Sequence, residues 1–189
     1  FLLSIWPRII KSYPEARLHV YYGWQTAPTV AAMGLRSEVT AKIAALPSVH
    51  WHGRIAQRSL EEILPTYGVW LYPCAWHLDG EAYPEGFAIA GVRATAAGLV
   101  PVYPLAHALP EVQYPSPYTT QGLTWDKGGE QEFVGAALAA LKASADGTFD
   151  REAAREWAKT KTWEITTEAV IADMVRRGHL GQIEQAASG

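Results

Sequence analysis

The sequence predicts a three-layer α/β domain built on a mainly parallel sheet, and three observations carry that prediction. Short β-rich runs alternate with helix-length segments from Leu2 to Tyr103, the order that yields parallel strands joined by right-handed crossovers. The stretch from Pro84 to Gly98 lies between two apolar runs, Val69 to Tyr72 and Leu99 to Tyr103, and reads as a loop and helix bridging two strands of one sheet. The 189 residues suffice for one well-buried core, and no Pro/Gly/Ser-rich linker divides them.

The elements follow in order. Leu3, Trp6, Ile9, Ile10 and Tyr13 recur at three-to-four spacing with Arg8 and Lys11 between them, an amphipathic helix from Leu2 that Pro14 ends. Leu18 to Tyr22 is almost continuously apolar and predicts a buried strand ending at Gly23. Residues 25–34 carry no clear pattern. A helix is expected from Ser37, as N-cap, to Leu46, before Pro47. Val49 to His52 predicts the next strand, ended by Gly53, and Ser59-Leu60-Glu61-Glu62 fits a capping box opening a helix that runs to Tyr67. The prolines at 104, 110, 115 and 117 make that segment irregular, and Leu123 to Trp125 has the character of a short last strand. Helices are expected over 130–143, 151–160 and 163–177, with a polar, frayed tail from Gly178. The domain is therefore placed at residues 1–177 and the tail at 178–189. Phe1 already stands inside the first helical pattern, so the chain reads as a piece of a larger protein.

Composition excludes several classes. A net charge of -3, with no Lys/Arg clusters interleaved with aromatics, offers no field for a nucleic-acid backbone. No apolar run approaches the length of a transmembrane segment, and no signal-peptide pattern opens the chain. The single Cys74 cannot form an internal disulfide, which suits a reducing compartment, and the reading is cytoplasmic, with peripheral attachment of a longer protein to a membrane left open. The glycine-rich dinucleotide fingerprint, the phosphate-binding loop with its G-K-[ST] ending and the serine-hydrolase elbow are all missing from the sequence.

The residues that point to chemistry lie in the central stretch. Glu85 and Gly86 follow the carboxyl end of a strand, where open α/β sheets place their ligands. Free amides in the first helical turn, with the positive end of the dipole behind them, suit an anion such as phosphate. Gly86 permits close backbone approach; Phe87 and Ile89 are expected to anchor the turn, and Ala94, Ala96, Ala97 and Gly98 to let the helix lie close on the sheet. A Glu in this position is also an ordinary dipole partner. His50 and His52, two apart on a strand, share a face and have metal-compatible spacing. No further ligands stand near them in sequence, so packing or hydrogen bonding is the favoured role. His77, Asp79 and Glu81 alternate in a loop and read as solvated charge; Trp24, Trp76 and Trp125 are open between sugar stacking and packing.

Taken together, Glu85-Gly86-Phe87-Ala88-Ile89, the run to Gly98-Leu99-Val100-Pro101-Val102 and the later Leu109-Pro110-Glu111-Val112 resemble the donor-binding, C-terminal domain of retaining GT-B glycosyltransferases of family 4. Upstream, Val49 to Ile55 and Tyr67 to Pro73 resemble further family elements, as does Thr162-Trp163-Glu164 downstream. The resemblance implies a Rossmann-like donor half, incomplete at its N-terminus. It implies that Glu85 contacts hydroxyls of the donor sugar and serves as the catalytic residue. The backbone of Gly86, Phe87, Ala88 and Ile89 would face sugar and diphosphate, and the turn Gly53-Arg54-Ile55 would lie against the base. The implied activity moves a sugar from a nucleotide-diphosphate sugar to a carbohydrate or lipid-linked acceptor, with retention, no cofactor and no metal. The acceptor would be met by a separate N-terminal domain.

Two departures mark the match. Arg93, counted among the donor-binding residues, stands where the family has the second glutamate of its motif, exchanging an acceptor of ribose hydroxyls for a pure donor that would meet an extra phosphate or an acidic neighbour instead. The family's first donor-domain strand, with its diphosphate-facing Arg and Lys, has no counterpart, so the chain by itself is expected not to be a competent transferase. The rival readings are a non-catalytic glycosyltransferase-like binding or interaction module, which Arg93 favours, and an unrelated flavodoxin-like domain in which Glu85 is only a dipole partner.

Overall fold

The computed structural model describes residues 1–21, 30–73, 77–78, 81–82, 88–106, 108–121 and 127–177, with side chains except at 30–36, 77–78, 81–82 and 127–128. The first helix, α1 (Leu2–Ser12), buries Ile5, Trp6 and Ile9 as its periodicity requires, and Pro7 is accommodated inside it. Strand β1 (Leu18–Val20) pairs in parallel with β2 (Val49–Trp51), Leu18 opposite Val49 and His19 opposite His50. Only Leu18 of β1 is buried, which corrects the expectation of a fully buried strand. Its second face carries imidazole and phenol rings instead of aliphatic side chains.

Between these strands runs α2 (Val30–Ala44). It begins seven residues before the expected N-cap, so Ser37 sits in the helix interior and caps nothing: Val30, Ala31, Ala32 and Met33 extend the helix, and Gly34 is tolerated within it. A similar correction applies to α3 (Gln57–Ile63), whose N-cap is Ala56, with no side-chain capping bond. Ser59 lies within the helix, and Glu61 and Glu62 pair one turn back with Gln57 and Arg58 rather than closing a capping box. Pro65 then tightens the chain into a 3₁₀ turn, Leu64–Thr66.

Strand β3 (Val69–Leu71) pairs in parallel with β6 (Val100–Val102), Val69 opposite Val100. The crossover between them contains a small antiparallel pair, β4 (His77–Leu78) with β5 (Glu81–Ala82), where a loop was expected, and then α4 (Ile89–Ala96). The parallel strands thus form two separate two-stranded ladders among the described residues, β1 with β2 and β3 with β6. What joins them is a common core: Leu18 and Val49 from one ladder and Val100 and Val102 from the other pack with Ile5, Trp6 and Ile9 of α1 and with Phe133 and Ala137. The last two belong to α6 (Lys127–Asp146), which lies along α1 and β6. Trp6 Nε1 donates to Ser48 Oγ at 2.8 Å, so the one polar atom of this buried ring is satisfied.

The proline-rich segment contains α5 (Leu109–Val112) and a parallel bridge between Pro104 and Thr120. Tyr103 Oη donates to the Tyr114 carbonyl at 2.6 Å, and the Tyr114 ring meets Phe149 and Trp157 edge-on. Helix α7 (Arg151–Lys159) is capped by Asp150, which accepts from the Ala153 amide at 2.8 Å; it packs on α4 and buries Ala154 and Ala158. Helix α8 (Trp163–Arg176) is capped by Thr162 and leaves Trp163, Val170, Ile171 and Val175 exposed. Among the described residues no helix is long and apolar enough to cross a membrane. The expected strand at Leu123–Trp125, the tail and Trp24 and Trp76 lie outside the described residues.

Candidate functional site

The central stretch places the N-terminal end of α4 beyond the carboxyl end of β3. The helix starts at Ile89, so its first-turn amides are those of Ile89, Ala90 and Gly91 rather than those from Gly86 onward. The N-cap, Ala88, is buried in the left-handed region at φ 44° and ψ 56°, and its side chain caps nothing. An alanine there is strained by roughly 1 kcal/mol or more, because its Cβ crowds the following carbonyl. Strain of this kind persists only where the surroundings over-determine it, and here they do. The Ala88 carbonyl accepts from the Gly91 amide at 2.8 Å and from Gln113 Nε2 at 3.2 Å. Ala88 also packs with Tyr103 and Leu109 in a small apolar cluster against Trp70 and Tyr72, whose rings stack 4.8 Å apart. The amides of Ile89 and Ala90 have no hydrogen-bond partner among the described residues.

Close approach of α4 to Trp70 of β3 is achieved at Gly91, which the sequence reading did not single out. A Cβ there would come within 2.7 Å of Trp70 Cζ3 and would also meet the Gln113 side-chain oxygen. Ala94 and Thr95 are buried, whereas Ala96 is exposed. Ile89 does not anchor the turn in the core; it is 40% exposed.

Arg93, one turn further along α4, lines a shallow recess of about 240 Å³ with Ile89, Lys161, Trp163 and Glu164. The volume is below the ~300–1,000 Å³ of ordinary small-molecule pockets, so the recess accommodates at most a small group. Its charge is mixed. The Glu164 carboxylate is held below the usual range, chiefly by its own backbone N–H and then by the Thr162 hydroxyl, and it already occupies the positive end of α8. The Lys161 ammonium lies 5.3 Å from the centre of the Trp157 ring.

The turn Gly53-Arg54-Ile55 lies elsewhere, at the exit of β2. Gly53 adopts φ 68°, and the preceding His52 amide donates to the Val20 carbonyl at 2.9 Å, extending the ladder by one rung. Arg54 is exposed. Of the residues singled out in the sequence, Ala88, Ile89 and Arg93 come together on α4, and Gly53, Arg54 and Ile55 form one turn on the other ladder. Glu85, Gly86 and Phe87 lie outside the described residues, as does Asp79. Sequence reasoning missed Gln113, whose only signal was its place directly after the Leu-Pro-Glu-Val run, and Trp70, which reads as one more strand residue. It also missed the partners of His50 and His52. His19, Tyr21 and Tyr67 join them in one cluster, in which no group of three His, Cys, Asp or Glu among the described residues is arranged to hold a metal ion.

No protein-family model matches the chain, and no curated protein matches it in sequence. Solved structures do. AviGT4, a glycosyltransferase involved in avilamycin A biosynthesis, superposes with a TM-score of 0.59 over 94% of the chain, at 16% identity. The fold is glycosyltransferase-like. The pneumococcal O-GlcNAc transferase GtfA, solved with UDP and GlcNAc, gives a TM-score of 0.57 over 90% of the chain, also at 16% identity. The chain spans 48% of the first of these structures and 32% of the second. At this identity the likeness speaks to the architecture of the chain and to nothing finer.

Proposed function

We propose that residues 1–177 form the nucleotide-sugar donor-binding half of a retaining GT-B glycosyltransferase of family 4, with residues 178–189 as a polar tail. One observation carries the reading: the amides of Ile89 and Ala90, without a hydrogen-bond partner among the described residues, behind a strained N-cap held by Gln113, at the carboxyl end of β3. An anion is the natural occupant of such a position. The departing nucleoside diphosphate of a sugar transfer develops negative charge, and preorganised N–H donors stabilise it without reorganisation. GtfA, with the same architecture, was solved with UDP, which supports a nucleotide as ligand.

In this reading Glu85 contacts the donor sugar, the backbone from Gly86 to Ile89 faces sugar and diphosphate, and Gly53, Arg54 and Ile55 face the base. No metal or cofactor is used. The acceptor, a carbohydrate or a lipid-linked sugar, is met by a second domain of a longer protein, and the protein works in the cytoplasm. Calorimetric titration with UDP, GDP, ADP and their sugar conjugates tests this. Saturable binding of one set, weakened by Glu85→Ala, is the expected result; no binding at millimolar ligand overturns it.

A second reading, a non-catalytic glycosyltransferase-like module, is favoured by Arg93, which lies against α8 with Lys161 and Glu164 rather than presenting an acceptor to a ribose. Arg93→Glu separates the two. A gain in nucleotide-sugar affinity marks a transferase site that has drifted, whereas an unchanged affinity marks a surface that serves another purpose.

A further inference from the structure

The outer face of the β1–β2 ladder carries a chain of titratable rings that the proposed function does not use. His19 Nδ1 and His52 Nε2 are 2.9 Å apart, their rings are inclined by only 8°, and the ring centres are 5.1 Å apart. That separation is close to the largest a 2.9 Å contact between two imidazole nitrogens permits, so the rings meet edge to edge, each nitrogen aimed at the other. Such a geometry leaves no common point for a metal ion. It fits one proton: an N–H on one ring donating to the lone pair of the other. The Tyr67 hydroxyl lies 3.3 Å from the same His19 Nδ1 and makes a further hydrogen bond with the Tyr21 hydroxyl, while the Tyr21 ring stacks on His52 at 4.5 Å.

The groups facing the pair are His19 and Tyr21 from β1 and its exit, His50 and His52 from β2 and its exit, and Tyr67 from the segment before β3. Among the described residues no carboxylate faces it. The neutral pair keeps its bond, and so does the pair after one protonation at an outer nitrogen. A second proton makes both rings imidazolium, sets two N–H groups against each other and adds charge beside His50, whose ring centre is 5.0 Å from that of His19. Consistent with this, His19 is held below the ordinary histidine value, first by burial and then by His50 and His52. His52 directly precedes Gly53, so whatever fixes its ring fixes the start of the turn.

We propose that His19 and His52 form a one-proton latch on the turn Gly53-Arg54-Ile55, closed while the pair holds its shared proton and opened when both rings are charged. Opening at acid pH lowers the affinity of the domain for the ligand this turn meets. That last step rests on the reading of the turn as the base-facing loop; the latch itself does not.

The test is a pH titration of the full chain labelled with ¹⁵N, from about pH 8 to about pH 5, across the ordinary histidine range near 6.5. A through-bond N–N coupling between His19 and His52 is expected at neutral pH. It should vanish in one acid step, together with a shift of the Gly53 and Ile55 amides. His50→Gln leaves the coupling in place and His52→Asn removes it. A nucleotide-diphosphate sugar, whose diphosphate does not titrate in this window, should bind roughly tenfold more weakly below that step. Protonation of the two rings independently of one another, or turn amides that do not move, overturns the latch. Coupling with pH-independent affinity overturns its link to binding. Coupling with no binding at any pH leaves the latch standing and overturns the donor-domain reading instead.

Discussion

Gln113 Nε2 donates to the main-chain carbonyl of Ala88 over 3.2 Å, tying the segment after α5 to the N-terminal end of α4. Gln113 is 2% exposed, so the side chain is committed to this end of the helix rather than to solvent. Gln113→Leu removes the donor while keeping most of the volume. We expect a loss of about 1–3 kcal/mol in urea unfolding, with the amides of Ile89 and Ala90 exchanging faster with solvent. Unchanged exchange at those amides would mean that the clamp does not order the turn.

Ala88→Val adds a β-branch to a residue at φ 44°. Branched residues do not settle in the left-handed region, and the expected cost is about 2 kcal/mol or more, read from the midpoint of chemical unfolding. Gly91→Ala acts on the neighbouring turn: helix propensity favours alanine by up to about 1 kcal/mol, but the contact with Trp70 costs about 1–3, and destabilisation wins.

The opposite sign is expected at Thr95. Its hydroxyl is fully buried and has no hydrogen-bond partner among the described residues. Thr95→Val keeps the shape and removes an unpaired polar atom, so thermal or urea unfolding should show a gain on the order of 1 kcal/mol. A loss of that size would reveal a partner for the hydroxyl.

The alternating pattern, the first helix and the three C-terminal helices were legible because burial of one face dictates their period: Ile5, Trp6 and Ile9 had to face inward, and the caps Asp150 and Thr162 precede helices that begin where expected. Ser37 and Ser59 had the same capping chemistry and sit inside helices, because nothing in a short polar pattern says whether good helix formers upstream will extend past it. The outer face of β1 was misread because His19 and Tyr21 count as strand formers whether they pack on a helix or on one another. Of the candidate site, the position of α4 was legible from the glycine and proline signals around it. The Gln113 clamp was not, since it joins residues 25 apart in sequence through a loop that has no period.

Tyr21 gives a second pH signature, at the alkaline end. Burial first, then the bond to Tyr67, pushes its phenol up to about 12. The unfolded phenol ionises near 10, so the folded state holds the proton more tightly, and the contribution is complete below about pH 10 and lost as pH rises toward 12. Stability should fall across that window, and Tyr21→Phe should flatten the fall. An ultraviolet phenolate titration in which all tyrosines ionise near 10 would contradict it.

The central claim is that the N-terminal end of α4 receives the diphosphate of a nucleotide sugar. Its most direct test is amide chemical-shift mapping of the ¹⁵N-labelled chain during titration with nucleotide-diphosphate sugars. The account predicts saturable shifts concentrated at Ile89 and Ala90, with a second set at Gly53 and Ile55 that identifies the turn facing the base. Shifts confined to the recess around Arg93, Lys161 and Trp163, or no shifts at millimolar ligand, would contradict it.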